Sequence, residues 1–381
     1  MGSITRNFAN SISATSNLDS GINFKNLLIN GDMTVYQPAT TKTSISADEN
    51  QAGADRYNLR VNTRTSWVGT LANEPTFVPT NQGFKKALYV QTTTAETSVS
   101  AAEIVRIGQR IEANLLPHLK YGTDQAKPLT FSFWVRSSIT GTFVAELWHR
   151  DHPSDTGYNS LSFSISSADT WEKKTVTFQG DTVNGFNYDT GIGLECNIWL
   201  GAGTDYTSGG STTGGVWSTD ATKRAVGTSN DFINTLNANF YTTGWQLEIG
   251  ETATDFEFVP QDISLARCQR YYLPLFDGSP GRYIASAFYY APEHIKIHVE
   301  APVDMRANPS IEQTVATGCW IMYSNSSADT FSNSLVMDGD LKTRFFSLYA
   351  SAGDVSGTAG HAGGFYGVSN GGGFLALSAE L

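Results

Sequence analysis

The chain has 381 residues, room for two domains of ordinary size, and carries a formal net charge of −11 with only 16% charged residues. No cluster of Lys and Arg interrupts that acidic balance, which argues against a phosphate backbone as partner. Thr, Ser, Asn and 36 glycines fill the space, the composition of strands joined by turns, and no stretch has the length of a membrane span.

Residues 1–24 are polar, with Ile4, Phe8, Ile12 and Leu18 scattered among Asn and Ser. They cannot build a core and read as an arm that orders on a partner, or as a tail. Met1 to Ser20 lack the apolar stretch of an export signal.

From Lys25 to Pro260 a strand signal dominates. Leu129, Phe131, Phe133 and Val135 alternate with Thr130, Ser132, Trp134 and Arg136. Phe143, Ala145, Leu147 and His149 alternate with Val144, Glu146, Trp148 and Arg150, and Ile192 to Gly201 behaves alike. Period-two runs separated by turn residues predict an all-β, antiparallel β-sandwich of the jelly-roll kind over 25–260. Helix is expected only at Ala113–Leu119 and at Asp262–Tyr272, the second capped by Asp262. Residues 201–231 form a Gly/Ser/Thr-rich stretch holding Tyr206 and Trp217. A structureless loop of that length is uncommon unless it works. Beyond it, 261–381 read as a smaller β domain entered by a short helix, with strands at Arg282–Tyr290, Ile295–Val299, Cys319–Tyr323, Phe345–Ala350 and Phe374 onward. Gly-rich turns are expected at Gly357–Gly364 and Gly371–Gly373, and no independent core is obvious there. Cys196, Cys268 and Cys319, odd in number and widely spaced, predict reduced, partly buried thiols.

Three segments carry a resemblance. Asn26-Leu27-Leu28-Ile29-Asn30-Gly31-Asp32-Met33 resembles the first strand of a module common in phage tail fibres, and the opening of calcium-associated jelly-roll carbohydrate-binding modules. Gly244-Trp245-Gln246-Leu247-Glu248-Ile249-Gly250, followed by Ala253-Thr254-Asp255-Phe256, is similar to the closing strand of the same phage module. Ala266-Arg267-Cys268-Gln269-Arg270-Tyr271-Tyr272 is similar to the linker that follows it, and Ser378-Ala379-Glu380-Leu381 ends as such fibres often do. The resemblance covers residues 26–381 in order. It implies a virion protein, assembled in the host cytoplasm and acting outside the cell. It further implies a homotrimer joined to other tail proteins through residues 1–24. Asp32 and Glu248 are the candidate ligands for a structural calcium, a cation that takes carboxylate and carbonyl oxygens; otherwise Glu248 takes a hydrogen bond or faces solvent.

Alternation also selects a candidate ligand site. If Phe133, Leu147 and Ile198 face the core, the opposite faces carry Trp134, Arg136, Glu146, Trp148, Glu195, Asn197 and Trp199, with Tyr206 and Trp217 in the following loop. Indoles among polar groups suit sugar rings, whose C–H faces stack while hydroxyls take the hydrogen bonds. The same residues could instead pack under a loop, a domain or another subunit. Enzyme signatures fail individually. Gly367-Val368-Ser369-Asn370-Gly371 matches a nucleophile elbow, yet no His follows it. His294 and His298 have metalloprotease spacing, but Ile295 stands where a general-base Glu is needed; both are expected on the polar face of an edge strand. His149, Asp151 and His152 read as a polar hairpin or loop tip, with a metal site as the alternative. The expectation is therefore a protein that binds host-surface polysaccharide without catalysis. A purely structural virion protein remains open as the alternative. A glycan depolymerase fits less well, because no short periodic repeat of a β-helix occurs.

Overall fold

The computed structural model describes residues 24–48, 53–279, 281–325, 327–339, 343–351, 355–368 and 373–381. The proposed arm, apart from Phe24, and the Gly371–Gly373 turn, apart from Gly373, lie outside them.

The chain is all-β and antiparallel. Its first part is a sandwich of two sheets. The six-stranded sheet runs, in spatial order, Thr41–Ile45, Val68–Glu74, Ala87–Thr94, Asn239–Ile249, Leu129–Ser137 and Glu172–Phe178. The five-stranded sheet runs Tyr57–Asn62, Ile104–Glu112, Ile192–Ala202, Gly141–His149 and Gly157–Ile165. Period-two side chains from both inner faces meet in one core. Phe133, Leu147 and Ile198 are all fully buried there, and Trp245 lies edge-on to Tyr57 and Phe131. Such interdigitation of two inner faces is what holds a sandwich together.

The segments that carried the resemblance meet one another. Residues 26–33 form bends and a turn, not the expected strand. Asn26 donates through Nδ2 to the Trp245 carbonyl and accepts through Oδ1 from the Leu28 and Leu247 amides. Asn30 Oδ1 accepts from the amides of Thr34 and Val35. A Cβ on Gly31 would stand 2.2 Å from the Trp245 carbonyl oxygen, so only glycine allows this approach. The opening and closing segments are thus two halves of one clasp, in which the Asn26 side chain joins two backbone bonds, Leu27 N to the Leu247 carbonyl and Trp245 N to the Gly31 carbonyl.

The expected helices shorten. Ala113–Leu115 and Pro117–Leu119 are separate 3-10 turns, split where Pro117 cannot continue the first. The second expected helix spans Gln261–Gln269 with Pro260 at its cap and Asp262 in its first turn, and two further one-turn α-helices, Thr204–Thr207 and Asp231–Asn234, were not expected. Tyr272 already belongs to the next strand.

The second part pairs a three-stranded sheet, Tyr272–Phe276, Phe374–Ser378 and Ser310–Thr314, with a seven-stranded one. The latter runs Ser327–Phe331, Trp320–Ser324, Ala362–Gly367, Arg282–Ala291, His294–Glu300, Phe345–Ser351 and Val336–Met337. It has a core of its own, built around Trp320, Phe365, Phe331, Ile295, Ile297 and Leu348; the small, scattered apolar runs had concealed it. Gly363 and Gly364, expected in a turn, sit inside a central strand. A Cβ on Gly363 would lie 1.8 Å from the Tyr323 carbonyl oxygen, so the glycines serve close strand approach. The His294–Glu300 strand is likewise interior, between two partners, and not an edge.

The linker fastens the two parts. Glu112, buried in the five-stranded sheet, accepts 2.9 Å bonds from Arg270 Nε and Nη2 and another from the Tyr271 hydroxyl. Burial acts to raise the Glu112 carboxyl, but those donors outweigh it and hold it below its usual range. Arg56 lies 3.5 Å above the Tyr271 ring and pairs with Glu380. Arg306 donates to the carbonyls of Ala379, Glu380 and Thr190.

Candidate functional site

Each sheet of the sandwich has an outward face, and the two differ. On the five-stranded sheet, cross-strand register aligns Arg110, Glu195, Trp148 and Tyr158 in one row. Gly108, Asn197, Glu146 and Ser160 form the next, and Arg106, Trp199 and Val144 the one after. Residues 203–230 lie over these rows. Ser160 Oγ donates to the Lys223 carbonyl, the Ser160 amide donates to Thr213 Oγ1, and Tyr158 bridges Ser218.

The seal is electrostatic. Arg224, from the loop, donates to Glu146 through Nε at 2.6 Å and Nη2 at 3.1 Å. Glu146 also accepts from Asn197 Nδ2 and Trp199 Nε1, both at 3.2 Å, and pairs with Arg106 at 3.4 Å. Glu195 contacts Arg106 at 3.3 Å, Arg150 at 3.2 Å and Arg110 at 3.8 Å. Burial works to raise the Glu195 carboxyl, yet Arg106, Arg110 and Arg150 keep it below its usual range. Trp148 is wedged between Arg150 and Arg224, 4.0 and 4.2 Å from its ring centroid, with its indole N–H on the Asp155 carbonyl. Trp199 is 0% exposed, and Tyr206 packs 5.3 Å away against its ring. Trp217 lies elsewhere, donating to the Gln179 carbonyl and packed by His149 and Tyr121.

These placements correct the sequence-derived site. Glu195, Asn197 and Trp199 are fully buried under the loop, so the long loop works as a cover. Trp134 and Arg136 belong to the other sheet. Their strand and that of Trp148 are consecutive, but the chain crosses the sandwich between them, so equal parity means opposite outward directions.

On the six-stranded sheet the outward side chains around Arg136 are partly exposed, except Tyr241, which is 6% exposed beneath its neighbours. A row runs across three strands through Tyr89, Tyr241 and Arg136. Tyr89 and Tyr241 stack at 4.8 Å with rings 22° apart. Phe77, 47% exposed, and Trp171, half-buried, flank Tyr241 at 5.8 and 6.5 Å. The Arg136 guanidinium lies 4.9 Å from the Phe77 ring and 5.1 Å from that of Tyr241. Asp169 holds it through its carbonyl and carboxylate, both at 2.9 Å. Burial raises both phenols, Tyr89 to about 12, so at neutral pH each keeps its hydroxyl proton. The arrangement offers ring faces for apolar C–H surfaces and a fixed cation and hydroxyls at their rim. Trp134 stands one row away, beside Gly244 and Phe84. Tyr89, Tyr241, Phe77 and Trp171 were missed by sequence reading. Tyr89 and Tyr241 do alternate with buried Leu88, Val90 and Phe240, and that was their signal.

Asp32 and Glu248 do not fit a calcium site. Glu248 takes bonds from Gln246 Nε2, the Thr254 amide and the Thr254 hydroxyl at 2.7 to 2.9 Å, and Asp32 accepts from the Thr34 hydroxyl. Among the described residues no three His, Cys, Asp or Glu side chains converge as a metal site, His149, Asp151 and His152 included. The three cysteines are buried, and no described helix is long and apolar enough to cross a membrane.

No family model matches the chain and no curated protein matches it. Among solved structures, a putative sugar-binding protein from Bacteroides thetaiotaomicron is similar over 59% of this chain and 100% of its own, at 13% identity and a TM-score of 0.32. The enzymatically active domain of bacteriophage CBA120 tailspike protein 4 is similar over 59% of this chain, at 10% identity and a TM-score of 0.30. This chain spans only 22% of that one. A family 11 carbohydrate-binding module of Clostridium thermocellum is similar over 55% of this chain and 100% of its own, at 10% identity and a TM-score of 0.27. Likeness at this level assigns neither family nor ligand.

Proposed function

We propose that the chain is a non-catalytic attachment protein of a phage virion, a tail-fibre or receptor-binding subunit that holds host-surface polysaccharide. The observation that carries the carbohydrate reading is the exposed Phe77 and half-buried Tyr89 and Trp171 on the six-stranded sheet, arranged around Arg136 and the buried Tyr241. Pyranose C–H faces stack on such rings, and the phenols and guanidinium can bond sugar hydroxyls. The virion reading rests on the opening, closing and linker segments and their resemblance to tail fibres. A homotrimer, held to the virion through residues 1–24, would present three weak sites to a repetitive polymer and gain by avidity. The absence of catalysis is part of the proposal: Glu146 and Glu195, the carboxylates of the covered face, are both paired with arginines and unsuited to exchanging a proton.

The test replaces Tyr89 and Trp171 by Ala, singly and together. Binding to a panel of bacterial strains and their purified surface polysaccharides is measured beside thermal unfolding and solution mass. The double variant should bind roughly tenfold more weakly while still folded. Unchanged binding would remove the strip from recognition. A changed solution mass would make it a subunit contact instead, which is what the structural-protein alternative requires. A clean monomer of 41.3 kDa for the unmodified chain would end the trimer reading, and new reducing ends in the polysaccharide would end the non-catalytic one.

A further inference from the structure

The seven-stranded sheet has an outward face of its own, and tyrosines crowd one end of it. Register places Ile321, Tyr366 and Tyr283 side by side on three adjacent strands, with Tyr323, Gly364, Ser286 and His298 in the next row. The alternate residues of the same strands, among them Met322, Phe365, Ala287 and Ile297, enter the core, so both rows face away from it. Tyr283 is 52% exposed and Tyr323 48%. Tyr366 stands between them, 5.5 Å from Tyr283 and 5.2 Å from Tyr323, nearly perpendicular to each at 76° and 87°.

Gly364 makes the arrangement available. A Cβ there would stand 2.6 Å from Tyr366 Cε2 and 3.3 Å from Tyr283 Cε2, so the two rings lean over the bare glycine. The Tyr283 hydroxyl shares a 2.9 Å hydrogen bond with Ser286 Oγ, which fixes one wall. At the edge of the second row His298 stacks on Phe288 at 5.6 Å and 18°. The nearby cation Lys296 is neutralised by Asp338 at 2.6 Å. The result is an uncharged corner of three phenol rings with glycine and serine at its base.

We propose that this tyrosine corner is a second carbohydrate site, for neutral sugar residues, separate from the strip on the first sandwich. Three features select a sugar over a protein partner. The exposed rings all carry hydroxyls, so the surface is amphipathic throughout. Apart from half-buried Ile321 at the row's end, the aliphatic side chains of these strands enter the core. Tyr283 and Tyr323 stand nearly perpendicular to Tyr366 above the bare Gly364, so ring faces and ring edges are presented together, as a pyranose with C–H faces and rim hydroxyls can use. The site goes beyond the attachment proposed for the six-stranded sheet, and either can stand without the other.

The intact chain is tested with a panel of neutral bacterial O-antigen and glucan oligosaccharides, observed by saturation-transfer NMR and titration. Three proteins are compared: unmodified, Tyr89→Ala/Trp171→Ala, and Tyr323→Ala/Tyr366→Ala. Tyr323→Phe is included as a variant that keeps the ring. At least one sugar should still bind the Tyr89/Trp171 variant, and its affinity should fall fivefold or more in the Tyr323/Tyr366 variant but not in Tyr323→Phe. Tyr283→Ala, at the most exposed ring, gives the same reading should the double variant fail to fold. The proposal is overturned if no sugar binds outside the Tyr89/Trp171 strip, a result that leaves the attachment reading intact. It is equally overturned if the tyrosine substitutions change solution mass and not sugar binding, since the corner would then be a contact between copies. Loss confined to the tyrosine corner would uphold this site and remove the strip.

Discussion

The five-stranded and six-stranded sheets of the first sandwich share one core, yet their outward faces have opposite fates. The first carries Glu146, Glu195, Trp148 and Trp199 among four arginines, and a loop closes over it through Arg224. The second carries tyrosines, a phenylalanine, a tryptophan and one arginine, partly exposed except at Tyr241. Both match the same description in sequence, aromatic rings interleaved with polar groups. Two carboxylates facing four guanidinium groups satisfy one another, and covering such a network strengthens it by lowering the local dielectric. On the second face Tyr241 is packed among its neighbours, and the exposed faces of Phe77, Tyr89 and Trp171 gain only from a ligand or another surface.

That contrast can be broken most severely at Glu146. Glu146→Ala would leave Arg106 and Arg224 buried without their shared carboxylate, a loss of about 3–5 kcal/mol. Urea unfolding measures it, and limited proteolysis within 203–230 should report the freed loop. A loss under about 1 kcal/mol would mean that the cover does not depend on the ion pairs.

The corner where the chain crosses between the sheets gives the next effect. Glu96 accepts from the backbone amides of Thr65, Ser66, Trp67, Thr97 and Ser98. Burial alone would raise its carboxyl, but those amides bring it from 4.5 to about 2. Asp181, bonded to His149 and the Val183 and Asn184 amides, is likewise held at about 2 against the pull of burial. Both bind protons more weakly when folded, so their stabilisation is present above their ordinary range and disappears as pH falls toward 2. Asp55 and Glu103 act in the opposite sense. Burial pushes them up to about 6 and about 7, so stability is lost as pH rises through those values. A melting curve taken from pH 2 to 8 should therefore peak between about 4 and 6. Glu96→Gln should cost about 2–3 kcal/mol at pH 6 and much less at pH 2; Glu103→Gln should flatten the upper limb.

Smaller effects sharpen the functional side. Tyr89→Ala with Trp171→Ala should weaken polysaccharide binding by roughly tenfold while the melting temperature drops only modestly. Trp148→Ala should do the reverse. Removing the ring between Arg150 and Arg224 lowers the melting temperature, and binding should stay within about twofold. Equal loss of binding in both variants would mean that the covered face opens in solution.

Much was legible locally. Alternation in Leu129–Ser137, Gly141–His149 and Ile192–Ala202 depends only on neighbours two residues apart, and it located the strands and the buried Phe133, Leu147 and Ile198. The clasp residues Asn26, Asn30, Gly31 and Glu248 stood out because each has a particular task in the backbone. Their task, closing the sandwich, could not be read, since partners such as Asn26 and Trp245 lie 219 positions apart.

The all-β class and the sandwich pattern were properties of the sequence by itself, because composition and period-two pattern act at short range. Sheet membership and cover were decided only in the tertiary structure. Trp134 and Trp148 have the same parity on successive strands, but one crossing of the sandwich sends them to opposite sides. Arg224 reaches Glu146 across 78 residues, and Tyr89 meets Tyr241 across an even longer separation. Side-chain direction is set by the residue's own strand; whether that direction ends in water depends on which distant segment folds over it.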